Sequence, residues 1–495
     1  MKFKEYNQDQ LWLIPPNIED EIPEHDICRV INDIVDLIDT SSIEGKFKEE
    51  GNTAYHPKMM LKSLYYSYSQ GIFSSRKIAK EHERNIYYWY LSGKQRPDFR
   101  TINYFRNKHI NELKTLFYEI SKLCVKLGMV EFKTAAIDGT KIRANASRDK
   151  FRSEEWLDKI ITKLNTKIDE LFEEAKKVDK EEDKLLGEDN RGDEIPEEIA
   201  NEKKRREKLK KLNEELKKKE LKKINETDTE ARLMKSQGKY WPAYNCQAVV
   251  DEKNQVIVSA NVIDDGHDFY QMPPLLEEVK NEYLEKPAVV LGDTGYCDGV
   301  NISYLHNEKI DGYIPDKMAK HIKAEIDGKL PEGMKYKKDQ FKYNKEKDVY
   351  ICPEGEILPK ASKKMTKATR VNGEDTRFHT YQCYNKNCSI GSKCHKAKNG
   401  RKIYRYEDQE LRDEMAKKIR TEEGFEIYKD RMKIVEPVFG NIKFNFGFSQ
   451  FSLRGLIKTR GEFFIAACVH NLQKIKSFMI QNKILDLKTV LNEEV

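Results

Sequence analysis

Apolar residues in the first quarter of the chain recur at the spacing of α-helices. Between residues 55 and 125, Leu61 and Leu64 belong to a run with three- and four-residue steps, and Gly71 and Pro97 separate it from further runs of the same kind. The segment before it is acidic and weakly patterned. We therefore predict several short helices with arginines near their starts. Such a cluster is compatible with a helix-turn-helix-like DNA-binding domain, or with a small bundle that contacts no DNA.

Short apolar runs in the middle of the chain are typical of β-strands. Strands are predicted at 134–138, 244–251, 255–262, 287–293 and 312–314, and helices at about 269–284 and 301–309. The second and third runs flank a three-residue turn and predict a β-hairpin. Because helices alternate with the later strands, the pattern indicates a mixed α/β sheet.

Two segments interrupt the sheet pattern. Residues 151–225 are 57% charged, with 21 basic and 22 acidic side chains. Their leucines recur at helical steps, which predicts an antiparallel helical hairpin or coiled coil; a solvated helix without a partner is the alternative. Residues 350–400 are weakly patterned and rich in Lys, Gly and Asn, and they contain a group of cysteines.

The composition argues against several protein classes. Apolar residues make up 38% of the 495 residues and charged residues 35%, and the mean hydropathy is −0.80. No apolar run approaches the roughly 20 residues of a membrane span. No apolar stretch follows the lysines at the N-terminus, so neither a membrane protein nor a secreted disulfide scaffold is expected. The 25 Tyr and 21 Phe residues are too many for a disordered chain.

The basic residues are unevenly distributed. The chain has 90 Lys and Arg against 84 Asp and Glu, a formal net charge of +6. Residues 51–125 carry 13 basic and 5 acidic side chains, and residues 351–405 carry 13 and 4. Two separate basic blocks suggest a polyanionic partner, although a lysine-rich composition can also reflect an AT-rich genome.

Carboxylates at the ends of two predicted strands are the main candidates for chemistry. Asp138 and Asp293 each follow an apolar run, and the end of a strand is where ligands bind. Two such groups could share a Mg²⁺ ion, which prefers carboxylate oxygens and leaves room for phosphate. Glu436 is a candidate third ligand and shares a face with Lys443 if one helix carries both. Pro437 can start or kink that helix.

Several motifs resemble those of bacterial insertion-sequence transposases of the DDE class, in the group with a tyrosine-arginine-glutamate-lysine signature. They occur in the expected order over roughly residues 50–475. The motifs are GIFSSR at 71–76, PDFRTI at 97–102, AIDGTK at 136–141, LGDTGY at 291–296, VEPVFGNIK at 435–443, FSLRG at 451–455 and HNLQK at 470–474. Together they are far more specific than any one of them.

The resemblance implies an RNase H-like mixed sheet as the catalytic domain. Its ligands for two Mg²⁺ or Mn²⁺ ions would be Asp138, Asp293 and Glu436. The implied organisation has four parts. They are an N-terminal helical, DNA-binding domain over 1–125, a catalytic domain over 130–150, 226–315 and 409–480, a charged helical insertion over 151–225, and a basic cysteine-containing insertion over 316–408.

The activity implied by the resemblance is transposition. Two metal ions would support cleavage at the ends of a DNA element, and the freed 3′-hydroxyl would then attack target DNA. The implied partners are double-stranded DNA, as terminal inverted repeats and as target, and a second copy of the chain; the expected location is the bacterial or archaeal cytoplasm. Residues with an implied role at phosphates or DNA are Tyr428, Arg431, Lys443, Arg454, Arg76 and Arg100. Four residues separate Arg431 from Glu436, where the group usually has three.

Other functions stay open at this point. One is an RNase H-like metal-dependent nuclease without strand transfer, and another is a transposase-derived DNA-binding protein without catalysis. A coiled-coil assembly protein is suggested by residues 151–225 alone, and the basic blocks and strand-end acids disfavour it.

Four of the nine cysteines form a group. Cys383, Cys388 and Cys394 are five and six residues apart, and Cys352 precedes them by about thirty residues. Four soft ligands could hold a tetrahedral Zn²⁺ ion. The spacing is looser than the two-residue pairs of common zinc ribbons, so reduced structural thiols are the alternative.

A cluster of potential ligands also follows the predicted hairpin. Asp264, Asp265, His267 and Asp268 look like a metal site. Because Asp residues are frequent in turns and at helix starts, we interpret this segment as a turn and a helix cap.

Overall fold

The computed structural model describes residues 17–492 apart from 48–53, 187–196, 237, 329–335, 337, 363, 370–374, 386–387, 389–393, 396 and 398. Parts of the predicted N-terminal domain and of both predicted insertions therefore lie outside the described residues. Within the described ranges, no helix is long and apolar enough to cross a membrane.

Short helices form the N-terminal part of the chain. They are α1 (Ile27–Leu37), α2 (Ser41–Glu44), α3 (Pro57–Ser69), α4 (Ser75–Arg84), α5 (Ile86–Ser92), α6 (Phe99–Lys108) and α7 (Ile110–Lys126), preceded by a 3-10 turn (Ile18–Glu21). The sequence analysis missed α1. Its buried residues Ile27, Ile31 and Ile34 follow helical spacing, and Asp26 caps the helix by accepting the N–H of Cys28 at 2.8 Å.

A six-stranded mixed sheet forms the centre of the molecule. Its strands are β1 (Thr134–Arg143), β4 (Arg232–Ser236), β5 (Lys239–Asp251), β6 (Ile257–Ile263), β7 (Val289–Leu291) and β8 (Asp311–Tyr313). The order is β4-β5-β1-β7-β8, with β6 also paired to β5. Strands β1, β7 and β8 are parallel, and the remaining neighbours are antiparallel. Helices α10 (Met272–Tyr283) and α11 (Gly299–Asn307) connect β6 to β7 and β7 to β8, as the sequence predicted.

Strand β1 has different neighbours along its two edges. It pairs with β5 as far as Arg143, but with β7 only as far as Ala136. Farther along the β7 side, the N–H of Arg143 donates to the carbonyl of Ser449 at 3.2 Å, and the N–H of Phe451 donates to the carbonyl of Arg143 at 2.8 Å. The prediction that β1 ends at Asp138 is wrong, because β5 continues to supply hydrogen-bond partners after β7 has stopped.

The charged segment that follows β1 is mostly helical. Helices α8 (Glu154–Leu186) and α9 (Glu197–Lys218) pack together, and a short ladder of β2 (Phe151–Arg152) and β3 (Ile224–Asn225) joins their bases. They share a small apolar cluster that is separate from the main core. Its buried members are Leu157, Leu164, Leu209, Leu212, Leu216 and Ile224.

The basic segment after β8 begins with α12 (Ala319–Ile326) and continues into two three-stranded antiparallel sheets. The first contains β9 (Lys342–Asn344), β10 (Val349–Ile351) and β11 (Ile357–Leu358), and the second contains β12 (Thr366–Thr369), β13 (Asp375–Gln382) and β14 (Lys402–Tyr406). The sequence pattern predicted none of these strands, because most of them are too short to show an alternating pattern. They enclose their own small apolar cluster around Tyr350 and Tyr381.

The C-terminal helices complete the core. They are α13 (Gln409–Ile419), α14 (Glu422–Gly440), α15 (Leu456–Asn482) and α16 (Leu487–Asn492), and a π-helical turn (Asn441–Asn445) follows α14. Helix α15 packs against α7, α3 and β6, so it joins the N-terminal helices to the sheet. Gly71, which follows α3, packs closely against Phe446, which follows the π-helical turn. A Cβ at Gly71 would lie only 2.9 Å from the carbonyl oxygen of Phe446.

Candidate active site

Asp138 and Asp293 lie at the same edge of the central sheet. The last paired residues of β1 and β7 are Ala136 and Leu291, and each aspartate follows its paired residue by two positions. Parallel strands keep such equivalent positions next to each other. The carboxylate of Asp293 accepts the N–H of Gly295 at 2.7 Å, which fixes its orientation just beyond β7.

A third aspartate, Asp268, joins this pair. It comes from the connection between β6 and α10, and its Oδ1 accepts the side-chain amides of Asn245 and Gln247, each at 2.7 Å. Lys141 of β1 lies 3.4 Å from the same oxygen. The interpretation of Asp268 as a helix cap is wrong, because Gln271 occupies the N-cap position of α10.

Two glycines allow Asp268 to approach this closely. A Cβ at Gly139 would lie 2.5 Å from Oδ1 of Asp268, and a Cβ at Gly295 would lie 2.9 Å from its Oδ2. Gly139 directly follows Asp138, and Gly295 lies two residues after Asp293. The side chain of Asp268 therefore lies close to the backbone next to Asp138 and to the backbone next to Asp293.

Burial and neighbouring negative charges disfavour the ionised forms of Asp138 and Asp293. Burial is the largest cause that raises the pKa of Asp138 to about 6, and the charges of Asp293 and Asp268 add to it. The Arg431 guanidinium and the N–H of Gly139 oppose this rise. Burial, followed by the charge of Asp268, also raises the pKa of Asp293. The cluster therefore has negative charge that nearby protein groups only partly balance.

Arg431 on α14 supplies the closest positive charge. Its Nη1 donates to Oδ2 of Asp138 at 3.0 Å, and its Nη2 lies 3.6 Å from Oε1 of Glu436. Only 11% of the Arg431 side chain is exposed, compared with 49% of the Glu436 side chain. Tyr428, three residues earlier, lies buried beside Arg431; burial raises its pKa and the guanidinium opposes that rise. The structure thus brings Asp138, Asp293, Tyr428 and Arg431 together and places Glu436 at the rim.

Helix α14 continues through Pro437, so it does not start there, which was one of the two outcomes that the sequence predicted. Proline has no N–H to donate to the carbonyl of residue 433, four positions earlier. That carbonyl, of Lys433, instead accepts the side-chain amide of Gln255 at 2.7 Å. A residue from the hairpin therefore replaces the missing helical hydrogen bond and holds the helix next to the sheet.

Lys443 lies in the π-helical turn and faces the same cluster. Burial is the main cause that lowers its pKa; the charge of Lys141 acts in the same direction, and that of Asp138 opposes it. The helix changes from α to π between Glu436 and Lys443, so the two do not share one α-helical face as predicted. Lys443 nevertheless lies close enough to Asp138 for their charges to interact.

Two buried polar atoms near the aspartates have no hydrogen-bond partner among the described residues. They are Nε of Arg431, which is a donor, and Oδ1 of Asn245, which is an acceptor. Burying a polar atom without a partner costs roughly 1–3 kcal/mol. These atoms leave hydrogen-bonding capacity for a bound ligand.

The remaining candidates for DNA contact are exposed. Arg454 donates from Nε to the carbonyl of Asn145 at 2.9 Å, just beyond β1. On the N-terminal helices, the guanidinium carbons of Arg76 and Arg100 lie 5.0 Å and 5.7 Å from the centre of the Phe99 ring. All three arginines are exposed to solvent. Arg76 and Arg100 form one surface on α4 and α6, because the ring of Phe99 lies close to both of them.

The cysteine group lies in the basic segment, away from the aspartates in the fold. Cys352, Cys383, Cys388 and Cys394 line one small cavity together with His395 and Arg401. None of the nine cysteines forms a disulfide. Within the described ranges, no three or more His, Cys, Asp or Glu side chains are already arranged to hold a metal ion.

Two protein-family models match the chain. The family described as "Transposase DDE domain" matches residues 351–476, which include Tyr428, Arg431, Glu436 and Lys443. The family described as "Transposase domain (DUF772)" matches residues 16–108, which include Arg76 and Arg100. No curated protein and no solved structure matches the chain. The two matches lie at opposite ends of the chain, are both to transposase families, and support an insertion-sequence transposase of the DDE class.

Proposed function

We propose that this protein binds the ends of a DNA element, cleaves phosphodiester bonds there and joins the 3′ ends to target DNA. The placement of Asp138 and Asp293 side by side, with Arg431 on Asp138, is the observation that carries this proposal. The strand order also supports an RNase H-like sheet, in which three antiparallel strands are followed by two parallel strands that each come after a helix. The family matches support DNA as the substrate.

The residues at the sheet edge fit hard divalent metal ions. Carboxylate oxygens are the ligands that Mg²⁺ and Mn²⁺ prefer. Burial, and then the charge of neighbouring carboxylates, raises the pKa values of Asp138 and Asp293, and a bound cation would offset both effects. We propose Asp138, Asp293 and Glu436 as ligands of two ions. When bound, such ions would stabilise the charge that develops on the attacking and leaving oxygens of a phosphodiester.

The surrounding side chains would position the DNA backbone. Lys443 and Arg431 are partly buried cations next to the carboxylates, so their attraction for a phosphate is weakly screened by water. The free Nε of Arg431 can donate to a phosphate oxygen while Nη1 stays on Asp138. Tyr428 packs beside the guanidinium and limits its movement. Arg454 is exposed and lies beside the end of β1, where it would hold a phosphate farther along the DNA strand.

The N-terminal helices would bind the element ends. Arg76 and Arg100 are exposed and make no ion pair with any described residue, so both charges are available to phosphates. Phe99 between them holds the two guanidinium groups in one patch. Binding through this patch does not require the aspartates at the sheet edge.

Asp293→Asn tests the proposal, because it removes one charge and keeps the shape of the side chain. A gel-shift assay and a cleavage and joining assay on the same element-end duplex, with Mg²⁺, would show binding preserved and both reactions lost. Asp430→Asn is the matched control, since Asp430 is on the same helix, is partly exposed and pairs with Lys433. Unchanged cleavage and joining in Asp293→Asn would refute the catalytic assignment.

The wild-type protein separates the remaining alternatives in the same assays. Cleavage without joining of a 3′ end would favour a metal-dependent nuclease. Binding without either reaction would favour a DNA-binding protein that has lost catalysis.

A further inference from the structure

The two small sheets at residues 338–406 enclose very little apolar surface. Their buried cluster consists of Phe341, Tyr350, Leu358, Tyr381, Cys394 and Ile403. Protein units with so small a core usually need disulfides or a metal ion to stay folded. Disulfides are absent from the described cysteines, so a different cross-link must be considered.

The turn between β10 and β11 holds Cys352 in a conformation suited to a metal ligand. The N–H of Gly355 donates to the carbonyl of Cys352 at 2.9 Å, and the N–H of Glu356 donates to its Sγ at 3.3 Å. Gly355 has a φ of +84°, which other residues rarely adopt. The turn therefore fixes the position of the Cys352 sulfur at the edge of the cavity.

A second backbone arrangement holds Cys383 beside the same cavity. Its N–H donates to the carbonyl of Arg401 at 2.9 Å, which extends the pairing of β13 and β14. A Cβ at Gly400 would lie 2.1 Å from the carbonyl oxygen of Cys383, so only glycine allows this close approach. Cys394 lies in the apolar cluster between the two sheets, and Cys388 lines the cavity as well.

One positive charge lies beside the cavity. The guanidinium of Arg401 lines the cavity and lies 5.6 Å from the centre of the Phe341 ring. Four thiolates around one divalent ion would carry a net charge of about −2, which a neighbouring guanidinium partly balances.

We propose that the four thiols bind one structural Zn²⁺ ion that joins the two small sheets. The ligands are Cys352, Cys383, Cys388 and Cys394. Soft thiolates in a tetrahedral set select zinc or iron over Mg²⁺. The sulfurs ring a cavity and are not yet arranged around a single point. Binding must therefore draw them inward, to Zn–S distances of about 2.3 Å.

Metal analysis of the purified full-length protein tests this inference independently of DNA chemistry. We expect about one zinc per chain in the wild-type protein and its loss in Cys383→Ser and in Cys388→Ser. Cys297→Ser is the matched control, because Cys297 is also partly exposed but lies near the central sheet and should leave the zinc content unchanged.

A second measurement on the wild-type protein avoids variants that fail to fold. Replacing zinc by Co²⁺ should give the visible absorption of tetrahedral cobalt thiolate, and the bound metal should protect the four thiols from alkylation. Protein that contains no zinc and whose four cysteines are alkylated freely would overturn the inference. Iron in place of zinc, or disulfides among these cysteines, would overturn it as well.

Discussion

The guanidinium of Arg431 donates to the carboxylate of Asp138 at 3.0 Å, although the two residues are 293 positions apart in the chain. This contact links α14 to the central strand of the sheet at the point where the aspartates gather. It also gives Asp138 a cationic neighbour that counteracts the burial and the like charges around it. The ionisation of Asp138 therefore depends on a residue from the far end of the sequence.

Arg431→Gln should shift the acid limb of the pH–activity profile to higher pH. The guanidinium lowers the pKa of Asp138, which stands at about 6, so its removal raises that pKa further. Loss of a close opposite charge shifts a pKa by about 1–3 units. The rate of cleavage, measured between pH 5 and 9, should fall and reach its plateau at a higher pH. Arg431→Lys, which keeps a charge, should show a smaller shift, and an unmoved acid limb would contradict the role of the contact.

Asp268→Asn should shift the acid limb of the pH–activity profile to lower pH. The charge of Asp268 raises the pKa values of Asp138 and Asp293, so both fall when it is removed. Cleavage should also slow, because Lys141 loses its counter-charge and the amides of Asn245 and Gln247 donate to a weaker, uncharged acceptor.

Asp265→Asn serves as the control for Asp268. Asp265 is in the same turn and accepts the N–H of His267 at 2.9 Å, and it has no place among the aspartates. If both variants had the same pH profile as the wild-type protein, Asp268 would have no electrostatic effect on the site.

Arg76→Ala and Arg100→Ala should weaken binding to element-end DNA without changing the rate of cleavage at saturation. Each lost phosphate contact reduces the slope of log K against log salt by about one unit. The measurement is a fluorescence titration at several salt concentrations. Arg84→Ala is the matched control on α4, because Arg84 already pairs with Glu81 through its Nε at 3.1 Å. Equal effects at Arg84 would mean that general charge, and not this patch, attracts the DNA.

Glu462→Ala should strongly destabilise the fold. The carboxylate is buried in α15, where it accepts the Tyr68 hydroxyl at 3.1 Å and the N–H of Leu453 at 3.0 Å and lies 3.8 Å from Arg106. Its removal leaves the buried guanidinium without a counter-charge, which costs roughly 3–5 kcal/mol. Urea denaturation should show this loss, and Glu462→Gln, which keeps an acceptor, should lose less. A change below about 1 kcal/mol would show that the contact does not hold the N-terminal helices to α15.

The sequence was informative where a structural feature is local. The hairpin of β5 and β6, the helices α10 and α11, and the strands β7 and β8 follow from patterns of fewer than about twenty residues, and each occurs close to its predicted position. Helix α1 had the same kind of signal in Ile27, Ile31 and Ile34. The acidic residues that surround α1 in the first fifty positions concealed its helical pattern.

Features that depend on register or on distant contacts could not be predicted in this way. Asp268 reaches the aspartates because β1, β5 and the turn before α10 meet in three dimensions, and no spacing along the chain records that meeting. The assignment of Glu436 as a metal ligand stays a prediction, since the side chain is half-exposed and contacts Arg431. The homodimer and the boundaries of the predicted domains also stay predictions.

The limited pairing of β1 with β7 also bears on the solubility of the protein. An unpaired strand edge can add a strand from another chain and so begin aggregation. Along β1 this edge is open only between Ala136, where β7 stops, and Arg143, which is bonded to Ser449 and Phe451. The aspartates occupy that short gap, and a charged side chain opposes the approach of a foreign strand. The gap beside Asp138 is thus too short and too acidic to act as a template for intermolecular β-pairing.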